Sequence, residues 1–462
     1  MQSWLGKKVC VLGLGRSGKA AINLLIDKKV RVIAIDDSQN CLTKEGIKFF
    51  EERGVTVLIG SSRSFPTDQL DLAVVSPGIP RNHPFLKELI NRRVPVWSEL
   101  ELGWREMLCP SIAISGTNGK TTVTSWIEKI LLDNGRRTMT AGNIGTPLCE
   151  VVAQSSGLNY MTLEVSSFQL EQIEDFKPKV ALLLNVAEDH LDRHFSMDNY
   201  LRIKARLFEN QRVDDHAIIQ WEVWQRLKQI EVSIPANTLT FSESEKEADI
   251  YLDEGLIKSR MPGWPDTVLD LNRCNFRGSH NAANLMAALL AGRILKLPFE
   301  ELIATSVGLQ SGAHRCEFVS EWNGVKFYND SKATNIHALS SALQSMPNSK
   351  GEKRNIWLIA GGQNKAMDFG GVTPELARHV KGVYLMGQSS QEMRNAWRSF
   401  VTCNLADSMI EAVAEAGRNA VPGDVVLLSP ACASFDMFDS YRHRGESYCA
   451  AVRQWIEMIN SD

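Results

Sequence analysis

Residues 111–126 read SIAISGTNGKTTVTSW. A short apolar run ends in Gly116, Thr117, Asn118, Gly119, Lys120, Thr121 and Thr122, and TTVTSWIEKILLDNG then reads as a helix. Strand, glycine turn and helix form the setting of a phosphate loop, because backbone N–H groups at the turn and helix start can receive anionic oxygens. The common spacing G-x-x-x-x-G-K-[ST] fails, since Ile114 stands where its first glycine belongs. Lys120 can still reach terminal phosphates, and Thr121 is placed to offer its hydroxyl to Mg²⁺. The residues therefore point to a triphosphate loop of a shortened kind.

A second glycine turn lies upstream. GLGRSG, Gly13 to Gly18, follows the strand KVCVL, and Asp36 ends the next strand, at about the 20-residue distance of a dinucleotide fingerprint. SPGIP at 76–80 would sit at a neighbouring strand end. Taken alone, this turn suggests a dehydrogenase, but any nucleotide diphosphate could use it, and so could a tight βα turn with no ligand. Two nucleotide-type loops fit one domain for a nucleotide-tagged substrate and another for ATP.

The rest of the chain repeats this α/β rhythm. At 462 residues it is too long for one core, and a prior of roughly 150 residues per domain gives about three. From 1 to 98 the strands KVCVLGLG, RVIAIDD and LDLAVVSPGIP alternate with helices, implying a Rossmann-like parallel sheet with ligands at the strand C-termini. From 99 to 312, SIAISG, YMTLEVSS and VALLLNV suggest a central P-loop ATPase-like α/β domain. In it FSESEKEAD (241–249) and MPGWPD (261–266) are expected to be loops, and SHNAANLMAALLAGRIL a helix with Leu285, Met286, Leu289, Leu290 and Ile294 on one side. From 313 to 462, VKFYND, NIWLIAGG, GVYLMG and DVVLLSP predict a second Rossmann-like domain, and MPNSKGEKR (346–354) a surface loop.

A net charge of −3 gives no basic balance for nucleic acid. The longest apolar runs, such as VALLLNVA, fall short of the roughly 20 residues of a membrane span. The opening MQSWLGKKVCVLGLG lacks a signal-peptide layout, and nine scattered cysteines without a C-x-x-C pair fit free thiols in a reducing cytoplasm. A cytoplasmic monomer without membrane insertion is expected.

GTNGKTT is similar to the ATP loop of the Mur ligase family, the ATP-dependent amide-forming enzymes of peptidoglycan precursor synthesis. Further segments follow in the family's order across the whole chain: NIGTP (143–147), LEVSSFQLE (163–171), NVAEDHLDRH (185–194), YLRIKARLFEN (200–210), GSHNAAN (278–284), GAHRCE (312–317), NDSKATN (329–335), AGGQNK (360–365) and LLSPACASFDMF (427–438). SSFQLE, NDSKATN and SPACASFD resemble the branch that adds D-glutamate, and the D-N-P-R motif of the diamino-acid-adding branch is absent. The resemblance implies three small-molecule substrates: ATP, UDP-N-acetylmuramoyl-L-alanine and D-glutamate.

It also implies site roles. Gly116 to Thr122 bind ATP phosphates; Asn281 and Asn284, which share one helix face, read adenine; Arg315 and Asp330 contact phosphate and the ribose or adenine side. N-capping would also suit Asn281. Thr121, Glu164, His190 and Lys204 are expected around two Mg²⁺ ions, with Lys120, Glu164, His190 and Lys204 catalytic. Glu164 could instead cap the helix begun by SSFQLE, and His194 reads as structural. In the family Lys204 is carbamylated, turning a cation into a metal-holding anion; on its residues alone it is a helix lysine on a solvated basic face. Gly15, Arg16, Ser17, Asp36, Ser76, Pro77, Gly78, Asn143 and Ser166 are expected at the UDP substrate, and Lys332, Thr334, Lys365, Ser434 and Tyr441 at D-glutamate. Gln363-Asn364 and Tyr441 depart from the usual Asp and Phe of that pocket. The rival readings are a dehydrogenase, a non-catalytic nucleotide sensor on the same fold, and a ligase for another amino acid.

Overall fold

The computed structural model describes residues 4–60, 69–143, 145–276, 278–310, 312–346, 354–364 and 367–460. It contains three parallel-rich sheets, each following its own stretch of chain. The first holds β1 (Lys8–Leu12), β2 (Arg31–Asp36), β3 (Thr56–Ile59), β4 (Leu72–Val75) and β5 (Val96–Ser98), all parallel, in the order 3-2-1-4-5. Chain order reverses between β1 and β4, which opens a crevice at their C-terminal ends. Gly13, at φ +91°, turns the chain there, and Ser76 Oγ donates to its carbonyl at 2.7 Å. A Cβ at Gly18 would sit 1.9 Å from Gly13 O, so only glycine lets the following helix Arg16–Asp27 approach the turn.

The central sheet has nine strands: β6 (Ser111–Ser115), β7 (Thr138–Gly142), β8 (Tyr160–Glu164), β9 (Val180–Leu183), β10 (His216–Gln220), β11 (Asn237–Ser242), β12 (Ile250–Asp253), β13 (Leu256–Ser259) and β14 (Thr267–Asp270). Their order is 14-13-12-11-10-9-6-8-7, with only the β12–β13–β14 edge antiparallel. The third sheet runs 15-16-20-17-18-19, from β15 (Glu317–Trp322), β16 (Val325–Asn329), β17 (Ile356–Gly361), β18 (Val380–Met386), β19 (Thr402–Leu405) and β20 (Val425–Leu428); β15 alone pairs antiparallel. Apolar clusters fill both faces of every sheet under the crossover helices. This doubly wound arrangement accounts for near-continuous apolar strands such as VALL.

Two expectations change. The helix Ser279–Ile294 is not one-sided: every residue from Asn281 to Gly292 is buried. Alanines at 282, 283, 287, 288 and 291 let it pass between the sheet and the helices Lys120–Asp133 and Phe299–Val307. The polar patch at 241–249 begins as strand, since Phe241 and Ser242 end β11. Most of the loop expected at 346–354 lies outside the described residues. All nine cysteines are free, and among the described residues no helix is long and apolar enough to cross a membrane.

The first and second sheets are bolted together by two buried glutamates on the helix Glu99–Arg105. Glu101 accepts from the backbone N–H groups of Glu174, Asp175 and Phe176 and pairs with Arg105 at 2.6 Å. Glu99 Oε1 accepts from Cys149 N at 2.6 Å, while Oε2 is buried without a hydrogen-bond partner. Burial pushes the Glu99 carboxyl up to about 7, against the pull of the Cys149 amide. The folded chain thus holds this proton more tightly than the unfolded chain, and the stability it contributes is lost as pH rises from 4.5 through about 7. Glu99→Gln should remove roughly 3 kcal/mol of pH-dependent loss. Melting temperatures of both proteins from pH 5 to 8 check this: their difference should grow with pH, and a constant difference refutes it.

Candidate active site

The turn after β6 is set by its neighbours in the sheet. Asn185, just beyond β9, accepts from Asn118 N at 2.8 Å and donates to Asn118 O at 3.0 Å. Gly116 and Gly119 adopt φ of +152° and +86°, and the helix Lys120–Asp133 starts directly after Gly119. Thr122 is buried in its first turn. Lys120 Nζ curls back to the carbonyls of Gly116 (2.8 Å) and Thr117 (2.9 Å).

Glu164 ends β8 beside this turn. Its Oε2 accepts from Thr121 Oγ1 at 2.8 Å and its Oε1 from Asn143 Nδ2 at 2.9 Å. It does not cap the next helix; Ser166 does that, in a capping box with Gln169. Ser166 is thereby tied to its own helix and is not among the cleft-lining residues. Lys204 is only 1% exposed, which overturns the solvated basic face. Its Nζ donates to Gly116 O at 2.8 Å, the same oxygen that Lys120 meets, and lies over the Tyr200 ring at 4.6 Å. Burial, then the Lys120 cation, push its pKa well below that of an ordinary lysine.

A cleft of about 490 Å³ opens between the second and third sheets. From the central side it is lined by Thr117 to Thr122, Asn143, Glu164, His190, Asn281 and Asn284, and from the C-terminal side by Arg315, Asp330, Lys332 and Thr334. Asn281 lies inside the first turn of its helix, whose N-cap is Gly278, so it is not the cap. Asp330 follows β16, and Ser429 Oγ donates to its Oδ2 at 2.9 Å; burial raises this carboxyl to about 7. Lys332 stands over the Tyr441 ring at 3.8 Å, and burial, then the Arg315 cation, lower it to about 8. Tyr441 and Ser434 do not themselves line the cleft, and Lys365 lies outside the described residues.

His190 occupies the left-handed region (φ +55°) as the N-cap of the short helix Leu191–His194, with Nε2 3.7 Å from Asp189 Oδ1. His194 is buried against Ser167 at 3.0 Å and stacked on Tyr200, a structural histidine as expected; burial lowers it to about 4. In the N-terminal crevice, Asp36 Oδ2 braces the turn by accepting from Leu14 N, while Oδ1 accepts from Ser38 N in its own loop. Arg16 reaches across to Gly145 O and Glu150. Gly15 caps the helix that Arg16 and Ser17 begin; Ser76 packs against Gly13 and Gly18 of that turn from the end of β4, while Pro77 O accepts from Arg193 and Gly78 has open space beside it.

Sequence reading missed the seam across the cleft. Asn118 and Asn335 exchange side-chain amide bonds at 3.2 and 3.5 Å; Asn118 Nδ2 meets His337 Nδ1 at 3.0 Å, and Asn335 Nδ2 reaches Asp189 Oδ2 at 3.4 Å. Asn118 and Asn335 lie inside two quoted motifs, but nothing local announces that they pair.

Among the described residues no group of three or more His, Cys, Asp or Glu side chains converges as a protein-only metal cage. The oxygen donors Thr121 and Glu164 beside a phosphate loop instead suit Mg²⁺, which keeps several waters and rides on substrate phosphates.

Three family models match the chain: the Mur ligase MurD-like N-terminal domain over residues 7–98, the Mur ligase middle domain over 114–292, and the Mur ligase glutamate ligase domain over 314–432. The chain belongs to the Mur ligase family. Relatives named UDP-N-acetylmuramoylalanine--D-glutamate ligase match this Mur ligase almost end to end. That of Desulfitobacterium hafniense is 38% identical, and that of Syntrophus aciditrophicus 37%, each covering 97% of this chain and 98% of the relative. That of Thermoanaerobacter pseudethanolicus is 35% identical over the same shares. Among solved structures, MurF ligase from Thermotoga maritima in complex with ADP shares the fold (TM-score 0.63, 16% identity, covering 99% of this chain and 100% of that one). So does UDP-N-acetylmuramate-alanine ligase from the same organism (TM-score 0.56, 14% identity, 98% and 99%). Mur ligases use ATP with Mg²⁺ to form amide bonds in peptidoglycan precursor synthesis.

Gly119 gives a direct test of the loop. A Cβ there would lie 2.3 Å from Asn284 Oδ1, on backbone at φ +86°. Gly119→Ala should lower the melting temperature, since left-handed strain alone costs about 1–2 kcal/mol, and, by shifting the turn and Asn284, should weaken ATP binding about tenfold or more. Calorimetric titration with ATP reads this out; undiminished affinity would show that the loop does not hold the nucleotide.

Proposed function

We propose that this Mur ligase adds D-glutamate to UDP-N-acetylmuramoyl-L-alanine, forming the amide, ADP and phosphate. One observation carries the reading. Lys120, Thr121 and Glu164 from the central sheet share a single cleft with Arg315, Asp330 and Lys332 from the C-terminal sheet, so the phosphate loop of one domain faces polar and charged side chains of the next. The names of full-length relatives at 35–38% identity support the D-glutamate branch. Residues 1–98 would hold the UDP end, 99–312 ATP, and 313–462 the amino acid. All of these come from one chain, in keeping with a cytoplasmic monomer.

In this reading the acceptor carboxylate attacks the γ-phosphorus, the bond to ADP breaks, and an acyl phosphate forms. The D-glutamate amine, having lost its extra proton, then attacks the acyl carbon, and a tetrahedral intermediate expels phosphate. Lys120 and Arg315 offset charge on the phosphoryl oxygens. Asn281, Asn284 and Asp330 orient the nucleoside. Asn143 and Glu164 would border the acceptor end, and His190, which lines the same cleft, would assist the amine. Lys332 and Thr334, with Ser434, Tyr441 and Lys365, suit the two carboxylates of glutamate. Mg²⁺, held by Thr121 and Glu164, would neutralise phosphate charge, and a second ion would fall near His190 and Lys204. The C-terminal side of the cleft keeps water from the acyl phosphate.

Lys204 fits carbamylation because its amine is buried and biased to the neutral form, which can attack CO₂: a C–N bond forms, a proton leaves, and the product is an anion.

Phosphate release from ATP should require both other substrates and prefer D-glutamate over L-glutamate. Release without that requirement, or none with any amino acid despite ATP binding, overturns the reading in favour of another ligase or a sensor. Lys204→Ala should lower kcat at least about a hundredfold, and bicarbonate should stimulate wild-type enzyme assayed in CO₂-depleted buffer. Indifference to bicarbonate counts against the carbamate.

A further inference from the structure

Arg193 lies away from the phosphate cleft, where the first and second sheets meet. Its Nη1 donates to Pro77 O at 2.8 Å and its Nη2 to Ile79 O at 3.0 Å, both in the 76–80 turn after β4. Its other edge is gripped by Glu171, with Nε 3.0 Å from Oε1 and Nη2 2.7 Å from Oε2. The guanidinium lies over the Phe168 ring at 4.3 Å. The Glu171 side chain is 2% exposed and that of Arg193 14%, and Arg81 approaches the same carboxylate at 3.7 Å from the N-terminal side. A buried carboxylate thus holds a planar fork, and the fork holds two carbonyls of a loop on another domain.

Lysine could not reproduce this. Its single point charge cannot span two carbonyls and both carboxylate oxygens at fixed angles. The 76–80 turn is also held at its start, where Ser76 Oγ donates to Gly13 O, so Arg193 supplies the second anchor of a loop at the crevice mouth. The same clamp continues towards the phosphate loop. His194, the next residue, stands 3.7 Å from Glu171 Oε1 and stacks on Tyr200, whose hydroxyl is 3.4 Å from Thr117 Oγ1.

We propose that Arg193 is a positioning residue for the nucleotide-sugar substrate: clamped by Glu171, it fixes the 76–80 turn on which the UDP end of that substrate docks. The inference rests on the reading of the N-terminal crevice as the UDP site. It requires that loss of the fork be felt by one substrate and spare the other two.

The experiment is steady-state kinetics of Arg193→Lys, Arg193→Gly and Glu171→Gln in the full-length enzyme, varying each substrate in turn, with UDP binding by calorimetry and melting temperatures alongside. KM for UDP-N-acetylmuramoyl-L-alanine should rise about tenfold or more in Arg193→Lys, with KM for ATP and for D-glutamate within about twofold of wild type. Arg193→Lys keeps the charge and serves where the glycine variant folds poorly. Millimolar guanidinium should restore the nucleotide-sugar KM of Arg193→Gly, and the Arg193→Lys/Glu171→Gln double variant should be no worse than its worse parent, because the clamp acts as one unit. A parallel rise in all three KM values, or a fall in kcat with no change in any KM, overturns the assignment and leaves Arg193 a structural residue. Wild-type enzyme that binds ATP but shows no saturable UDP binding would sink the functional reading itself, and the clamp's substrate role with it.

Discussion

One carbonyl oxygen, that of Gly116, receives the amino groups of both Lys120 and Lys204. Two amino groups on one acceptor in a buried pocket repel one another, an effect that the nearby Asp189 and Glu164 carboxylates offset only in part. Lys204, fully enclosed and backed by an aromatic ring, is the one driven towards neutrality, while Lys120 stands at the cleft with its charge available. The glycine turn, the strand-end glutamate and the buried helix lysine are therefore one electrostatic unit. Its spacing is dictated by backbone: β6 lies between β8 and β9, so Glu164 and Asn185 must flank the turn.

The same logic recurs in each sheet. Where strand order reverses, two loops separate at the C-terminal ends and leave room for a ligand. In the first sheet the turns after β1 and β4 face one another through Ser76 and Gly13. In the third, the ends of β16 and β20 meet through Ser429 and Asp330.

Much of this was legible because the chemistry sits on contiguous strand–turn–helix units. GTNGKT, the strand ending in Glu164, and NDSKATN each declare their position through an apolar strand running into polar residues. The edge strands β3, β5 and β19 were not legible; three or four residues carry too little periodicity. The helix Ser279–Ile294 was recognised but its surroundings were not, because alanine does not distinguish a buried face from a neutral one. Lys204 shows the limit most clearly. Two arginines nearby in sequence suggested a wet face, yet their side chains leave for the carbonyls of Ile230, Leu170 and Glu171 and the lysine turns inward. Pairings such as Glu171 with Arg193 and Asn118 with Asn335 are long-range facts of the fold, and one sequence does not carry them.

The seam between the phosphate loop and the C-terminal domain is built from carboxamides, and burial lowers the pKa of the imidazole beside them, His337. Amide pairs carry no net charge, so salt does not screen them and ordinary changes of pH do not titrate them. The charged side chains lining the cleft, Lys120, Glu164, Arg315 and Asp330 among them, behave oppositely, since their fields are screened by salt. The Asn118–Asn335 pair at the heart of the seam is thus little affected by the medium, and its response to salt and pH enters only through the Asp189 carboxylate and the His337 imidazole at its ends.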